Sequence, residues 1–221
     1  MKRTIIGFFL AFVSIIGASA QSVRFVPGFG DDELKLDSNY ALPNGTEVSV
    51  ETLRFYISNV EVHKNGTAVW TESASYHLLD AAKPESLQLS IPIKQGDTLV
   101  FLLGIDSLTN VSGAMGGDLD PSKGMYWAWN SGYINFKLEG TSPICNTRNN
   151  VFEFHLGGYA YPTPTVQRIE LPVTGNLLQV DIEAFLNQIN LEEENRVMSP
   201  SAEAAVLAKK AASIFHFQDE K

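Results

Sequence analysis

Two tryptophans and a histidine are the residues whose types and spacing are best suited to a specialised site. Trp127 and Trp129 lie two positions apart in GMYWAWNSGYINFKLEG (124–140), and His155 follows in FEFHLGGY. Side chains two apart in a strand point to the same side of a sheet, so an extended 125–139 segment places both indoles on one side. If His155 lies on a neighbouring strand, the pair is either a plain aromatic core or one wall of a ligand site.

Among the four histidines, His77 and His155 are the two that lie inside apolar, strand-like segments, SYHLLD and FEFHLGG. A buried histidine is commonly a hydrogen-bonded part of the core. If the two segments pair or face each other, however, both imidazoles converge on one metal ion, and imidazole suits copper and zinc. The sequence contains no H-x-H, H-x₃-H or C-x₂-C spacing, so both interpretations stay open.

The other reactive residue types give weaker evidence for a specific site. Asp118 and Asp120 in GGDLDPSKG offer oxygen ligands for calcium, or form a polar turn. The sequence has neither a G-x-S-x-G nucleophile motif nor a phosphate-binding glycine loop, so we expect a protein that is not an enzyme. Cys145 is the only cysteine and cannot form a disulfide within the chain; burial as a small apolar residue is the simplest expectation.

The first twenty residues have the pattern of a secretory signal peptide. Lys2 and Arg3 precede an apolar run over 5–16, and Ala18-Ser19-Ala20 predicts cleavage before Gln21. The run is shorter than a membrane span, and no cysteine stands at the cut to carry a lipid. We therefore expect an exported protein without a membrane anchor, in the periplasm or secreted. The net charge of −9, with scattered basic residues, argues against nucleic-acid binding.

The remaining residues, 21–221, predict a single domain of nine or ten short strands separated by turns. This spacing favours an all-β fold, an antiparallel β-sandwich with Greek-key-like connections. Asn65-Gly66 predicts a hairpin turn, and the apolar phase shifts near Ser58-Asn59 as a bulge would require. The glycine-rich connection 106–124 is long enough to be functional or mobile. Helical spacing predicts a C-terminal helix over about 200–216, begun by Ser199-Pro200.

Several blocks in the same order resemble the MbnP family of exported copper-associated proteins, which is related to MopE and CorA of methane-oxidising bacteria. The resemblance spans nearly all of the mature chain, and GMYWAWNSGY is its most specific part. The matching blocks are LRFYISNVEV (53–62), HLLD (77–80), FLLGID (101–106), GMYWAWNSGY (124–133), FHLGG (154–158) and VMSP (197–200).

The resemblance implies a copper-binding protein that stores or handles the metal. In members linked to copper, two histidines act with a tryptophan oxidised to kynurenine by a partner di-haem enzyme of the MauG type. His155 falls on the family's histidine, and Trp70, Trp127 and Trp129 are the available tryptophans. The alternative is a metal-free β-sandwich module for a ligand or protein, in which the tryptophan pair is core or an aromatic contact surface.

One position departs from this pattern. Val111 stands where many methanotroph relatives carry a second histidine, and His77 is the candidate replacement.

Overall fold

The computed structural model describes residues 22–130, 132–160 and 162–218, and the predicted signal peptide at residues 1–20 lies outside these residues. Strands dominate the described part, with three short α-helices, α1 (Ser107–Val111), α2 (Ile182–Leu186) and α3 (Ala202–Ala212). The strands are β1 (Ser22–Phe29), β2 (Asp32–Glu33), β3 (Asn39–Ala41), β4 (Glu47–Lys64), β5 (Thr67–Thr71), β6 (Tyr76–Asp80), β7 (Gln88–Ser90), β8 (Thr98–Leu103), β9 (Tyr126–Trp127), β10 (Gly132–Thr141), β11 (Val151–Gly157), β12 (Gln167–Pro172), β13 (Leu177–Asp181), β14 (Arg196–Val197) and β15 (Phe215–Phe217).

The strands form two sheets, in agreement with the predicted β-sandwich. The small sheet has the order β15-β13-β1-β2, and β7 also pairs with β1. The large sheet has the order β12-β8-β4-β10-β11-β14, with β3, β5 and β6 joined to β4 and β9 joined to β10. Most pairs are antiparallel as expected, but β1 pairs with β13 and β11 pairs with β14 in parallel, so both sheets are mixed.

Strand β4 organises the large sheet because its 18 residues pair with five other strands. Its pairing with β8 shifts register between Ser58 and Glu61, and Asn59 has a φ of +51°, which confirms the predicted bulge. Asn65 and Gly66 both have positive φ and connect β4 to β5, which confirms the predicted hairpin.

The two sides of the large sheet differ in composition. Leu53, Phe55 and Ile57 of β4 are fully buried on the side that faces the small sheet, which we call the core face. Phe25 of β1 packs there, with its ring centroid 6.3 Å from that of Phe55. The opposite side of the same strand, which carries Arg54 and Tyr56, is called the outer face. Burial of the core-face side chains holds the two sheets together.

The connection from Asp106 to Gly124 covers part of the outer face. The Asp106 carboxylate accepts from the backbone N–H of Thr109 at 2.9 Å and so caps α1. The Tyr133 hydroxyl accepts from the N–H of Met115 at 3.1 Å and donates to the Leu119 carbonyl at 3.1 Å. Side chains of the connection and the sheet form a second apolar cluster of Tyr56, Leu78, Ile105, Leu119, Met125, Trp127, Tyr133 and Ile134.

The C-terminal helix α3 is shorter than predicted. Ser201, and not Ser199, caps it by accepting from the N–H of Ala204, so the helix begins after Pro200. It ends at Ala212, and β15 follows as an edge strand paired with β13. The prediction of a helix to residue 216 was wrong because Phe215 and Phe217 are buried at strand spacing, which the helical pattern also fits. Among the described residues, no helix combines the length and the apolar character needed to cross a membrane.

Candidate functional site

His77 lies on β6 and forms a local pair with a glutamate. Its Nε2 is 2.7 Å from Oε2 of Glu72, and the same oxygen accepts from the Ser75 hydroxyl at 2.6 Å. These residues belong to the turn between β5 and β6, in which Ala74 has a φ of +51°. The imidazole of His77 is thus occupied by a partner five residues away.

His155 lies on β11, opposite Lys137 of β10. Its Nε2 is 2.7 Å from Oε1 of Glu139, and the Lys137 ammonium is 3.2 Å from the same oxygen. The hydrogen bond from His155, with a contribution from the charge of Lys137, lowers the pKa of Glu139 from 4.5 to about 2. The carboxylate is therefore ionised at every physiological pH and acts as an acceptor.

The structure does not bring His77 and His155 together. Register pairs place His155 beside Lys137 and Lys137 beside Arg54 of β4, so all three point to the outer face. His77 pairs with Ile57, three positions further along β4, and therefore points to the opposite face. A site in which both imidazoles bind one metal ion is incompatible with this register. In the described part of the chain, no group of three or more His, Cys, Asp or Glu side chains is placed to hold a metal.

The two tryptophans of the W-x-W motif have different surroundings. Trp127 ends β9 and is 6% exposed, whereas Trp129 lies in the turn after β9 and is 67% exposed. Their ring centroids are 5.7 Å apart at an interplanar angle of 42°, so the indoles touch. The expectation of one extended strand through both was wrong, because β9 stops at Trp127 and pairs back onto β10. One indole is core and the other is surface.

Trp127 lies on the outer face close to the segment of β11 that carries His155. A Cβ added at Gly157 would meet Cζ3 of Trp127 at 2.7 Å and the carbonyl oxygen of Tyr133 at 2.5 Å. Residue 157 is two positions from His155, so both project from the same side of β11. We refer to Trp127, Lys137, Glu139 and His155 as the outer-face site. Glycine at 157 provides the space into which the indole fits.

The sequence analysis missed Lys137 and Glu139. Their signal is the alternation in INFKLEG, where Phe136 and Leu138 are core and the residue after each of them is charged. The sequence analysis also missed Arg54 and Asp80, which lie on the neighbouring strands β4 and β6. The Nε of Arg54 lies 3.1 Å from Oδ2 of Asp80, and its Nη1 donates to the Lys123 carbonyl at 3.1 Å. The sequence alone does not show that charged side chains on adjacent strands lie side by side, because that depends on the pairing register.

The remaining candidates lie apart from this site. Trp70 pairs with Val62 at the β4–β5 hairpin and packs against the main core. Val111 is exposed on α1. Asp118 accepts from the N–H of Leu78 at 3.1 Å and pairs with the Lys123 ammonium, so it acts as a structural tether of the connection.

Cys145 is buried as predicted, and burial raises the pKa of its thiol. A thiolate, the reactive form of cysteine, is therefore disfavoured at this position.

Comparison with known proteins gives one family and one fold. The model of the MbnP family matches residues 18–199. The solved structure of MbnP from Methylosinus trichosporium superposes with a TM-score of 0.57 at 15% sequence identity, over 82% of this chain and 81% of that chain. At this identity the superposition shows a shared fold. A search of curated proteins finds no significant match.

Proposed function

The chain belongs to the MbnP family, and from this premise we propose that it is an exported copper-binding protein that holds the metal at the outer-face site, with the His155 imidazole as a ligand. Its role is to store or hand on copper, and it does so as a binding protein without catalytic turnover. The observation that carries the proposal is the 2.7 Å contact between His155 Nε2 and the ionised Glu139 carboxylate.

This contact determines which nitrogen is free for a metal. An ionised carboxylate only accepts hydrogen bonds, so the neutral imidazole places its N–H on Nε2 and its lone pair on Nδ1. Nδ1 has no hydrogen-bond partner among the described residues. Metal-binding histidines characteristically donate their other ring N–H to a carboxylate, which fixes the tautomer and raises ligand basicity. His155 and Glu139 have this arrangement.

The donor set fits copper in part. Imidazole is a preferred copper ligand, but the outer-face site supplies a single imidazole, and the exposed Val111 adds none. The remaining donors must therefore come from another group, and Trp127 is the aromatic side chain beside β11 at this point. We propose Trp127 as the tryptophan that is converted to kynurenine, whose carbonyl and aromatic amine are additional donors.

The conversion has a defined chemical balance. One dioxygen molecule cleaves the C2–C3 bond of the indole, and hydrolysis with one water releases C2 as formate, which leaves the ketone and the amine of kynurenine. The chain loses one carbon and gains one oxygen, a mass increase of about 4 Da. We propose that a partner di-haem enzyme of the MauG type catalyses this reaction in the periplasm, with dioxygen as the oxidant.

Copper titration of the mature protein tests the role of His155. We expect H155A to abolish saturable copper binding and E139Q to weaken binding by roughly 10- to 100-fold, because Glu139 orients the ligand. H63A is the matched control, since His63 is also paired with a glutamate, at 2.6 Å from Glu61, but lies at the far end of β4. Equal copper binding by wild type, H155A and H63A would contradict the proposal.

Mass spectrometry of protein purified from its own host tests the modification. We expect an intact mass about 4 Da above the unmodified value, with fragment ions that place the change on Trp127 and not on Trp129, which lies on the same peptide. Protein expressed without the partner enzyme is the control and carries no shift. A shift located on Trp70 or Trp129, or an unmodified mass from the native host, would contradict the assignment to Trp127.

A further inference from the structure

Trp129 presents an aromatic surface that the copper proposal does not use. It lies in the turn between β9 and β10, where the N–H of Asn130 donates to the Trp127 carbonyl at 3.3 Å. The ring contacts Trp127, yet two thirds of the side chain is exposed. Exposure of a large indole costs free energy that burial would recover, so an indole held in this position is a common feature of contact surfaces.

A cavity of about 310 Å³ adjoins this indole. Three separate segments of the chain form its wall: the turn after β9, the loop after β11 and the segment that precedes α3. The residues that matter for its chemistry are Trp129, Asn130, Tyr159, Thr163, Ser199 and Pro200.

Two of the three wall segments are held by contacts outside the cavity. The Gly158 carbonyl accepts from the N–H and the hydroxyl of Thr165, at 2.9 and 3.0 Å. Gly158 has a φ of +123°, and a Cβ there would lie 2.9 Å from Cβ of Pro200, so glycine lets the last two segments meet. The Tyr159 carbonyl accepts from the Ser107 hydroxyl at 3.5 Å, which connects the loop to α1. These contacts hold the loop after β11 against α1 and against the segment that precedes α3.

The polar groups that line the cavity are neutral. Asn130 contributes an amide, and Thr163 and Ser199 contribute hydroxyls, while the described lining residues include no Asp, Glu, Lys, Arg or His. This neutral lining favours an uncharged ligand with its own hydroxyl groups. A sugar ring has an apolar C–H face that stacks on an indole and a hydroxyl edge that pairs with amides and hydroxyls.

We propose that this cavity is a saccharide-binding site, in which a neutral sugar ring stacks on Trp129 and hydrogen-bonds to Asn130, Thr163 and Ser199. Ligand pockets span roughly 300–1,000 Å³, so a cavity at the lower limit takes one or two rings. The site does not include His155 or Glu139 and does not depend on copper.

Titration of the full mature protein with neutral mono- and disaccharides, such as glucose, N-acetylglucosamine and cellobiose, tests this site. We expect at least one sugar to produce a saturable change in tryptophan fluorescence, confirmed by calorimetry. W129A weakens that binding by about tenfold or more, because stacking on the indole is lost, and T163V and S199A weaken it by a few-fold. W70A is the matched control, since Trp70 lies on β5 outside the cavity, and it leaves the affinity unchanged.

Three results would overturn the proposal: no saturation by any neutral sugar up to about 50 mM, sugar binding by W129A that equals wild type, or binding of a proline-rich peptide to Trp129 in place of sugars. Because two thirds of the Trp129 side chain is exposed, W129A should keep a free energy of unfolding within about 1 kcal/mol of the wild-type value. H155A separates the two proposals, because it loses copper binding and keeps sugar binding.

Discussion

The two faces of the large sheet carry different kinds of side chain. The core face is closed by the small sheet and contains apolar side chains such as Phe55, Phe136 and Phe154. The outer face carries His155, Glu139 and the other charged residues in rows across β11, β10, β4 and β6. His155, the candidate copper ligand, lies on the outer face, which the small sheet does not cover.

The reason is the cost of burying charge. An unpaired ion is expensive inside an apolar interface, whereas a partly solvated face tolerates ions that are paired with each other. On the outer face, Glu139 contacts both His155 and Lys137, and Arg54 lies beside Asp80. The connection 106–124 covers the part of this face around Tyr56 and Tyr133, and the side chains of His155 and Glu139 are 9% and 25% exposed. Four predictions test how sharply the two faces differ.

The largest effect is expected from truncation on the core face. Phe136 is buried, with its ring 5.3 Å from Phe185 and 6.2 Å from Phe55. F136A should lower the free energy of unfolding by about 3–5 kcal/mol in denaturant titrations. K137A, the next residue on the opposite face, should cost less than about 1 kcal/mol, because it removes a partly exposed ion pair. Similar losses for the two variants would contradict the assignment of the faces.

A smaller effect is expected where Trp127 packs against Gly157 of β11. G157A places a methyl group 2.7 Å from Trp127 and 2.5 Å from the Tyr133 carbonyl, so either the indole or the backbone must move. We expect a loss of about 1–3 kcal/mol in unfolding free energy. The matched control is G116A, because a Cβ at Gly116 meets nothing within 4 Å and its φ is −96°. A G157A protein as stable as G116A would show that Trp127 is not packed on β11.

The third prediction concerns the hydrogen bonds that hold the connection 106–124 against the large sheet. Y133F removes the hydroxyl that joins the Met115 N–H and the Leu119 carbonyl, which should cost about 1 kcal/mol and speed amide hydrogen exchange over residues 113–119. Y126F is the control, since the Tyr126 hydroxyl has no hydrogen-bond partner among the described residues. Unchanged exchange in Y133F would mean that other contacts hold the connection in place.

Local features of this fold could be predicted from the sequence. The hairpin at Asn65-Gly66 and the bulge at Ser58-Asn59 depend on residues that are close in the chain, and so does the burial of the apolar side of each strand. Those features gave the sandwich class, and the order of the sequence blocks gave the family.

The candidate site could be predicted only in part, because it depends on register. His77 and His155 have similar local sequences, yet they point to opposite faces, since their positions are fixed by pairing with Ile57 and Lys137. The role of Glu139 also required the pairing of β10 with β11. The end of β9 at Trp127 depends on the turn that follows it, and periodicity did not reveal that turn.

The last effect, and the one most sensitive to pH, is expected from Glu139. Its pKa is lowered to about 2 in the folded protein, from an ordinary value of 4.5, mainly by the hydrogen bond with His155. A lowered pKa means that the ionised group stabilises the fold above about pH 4.5 and that this contribution disappears as the pH falls towards 2. E139Q should therefore be less stable than wild type by about 1 kcal/mol at pH 7, a value reduced by solvent screening, and equally stable near pH 2.

E153Q is the control on the same face, because Glu153 pairs with the more exposed Arg196. Thermal unfolding between pH 2 and 7 measures the difference, and a gap between E139Q and wild type that stays constant with pH would show that the outer-face carboxylate does not contribute through its charge.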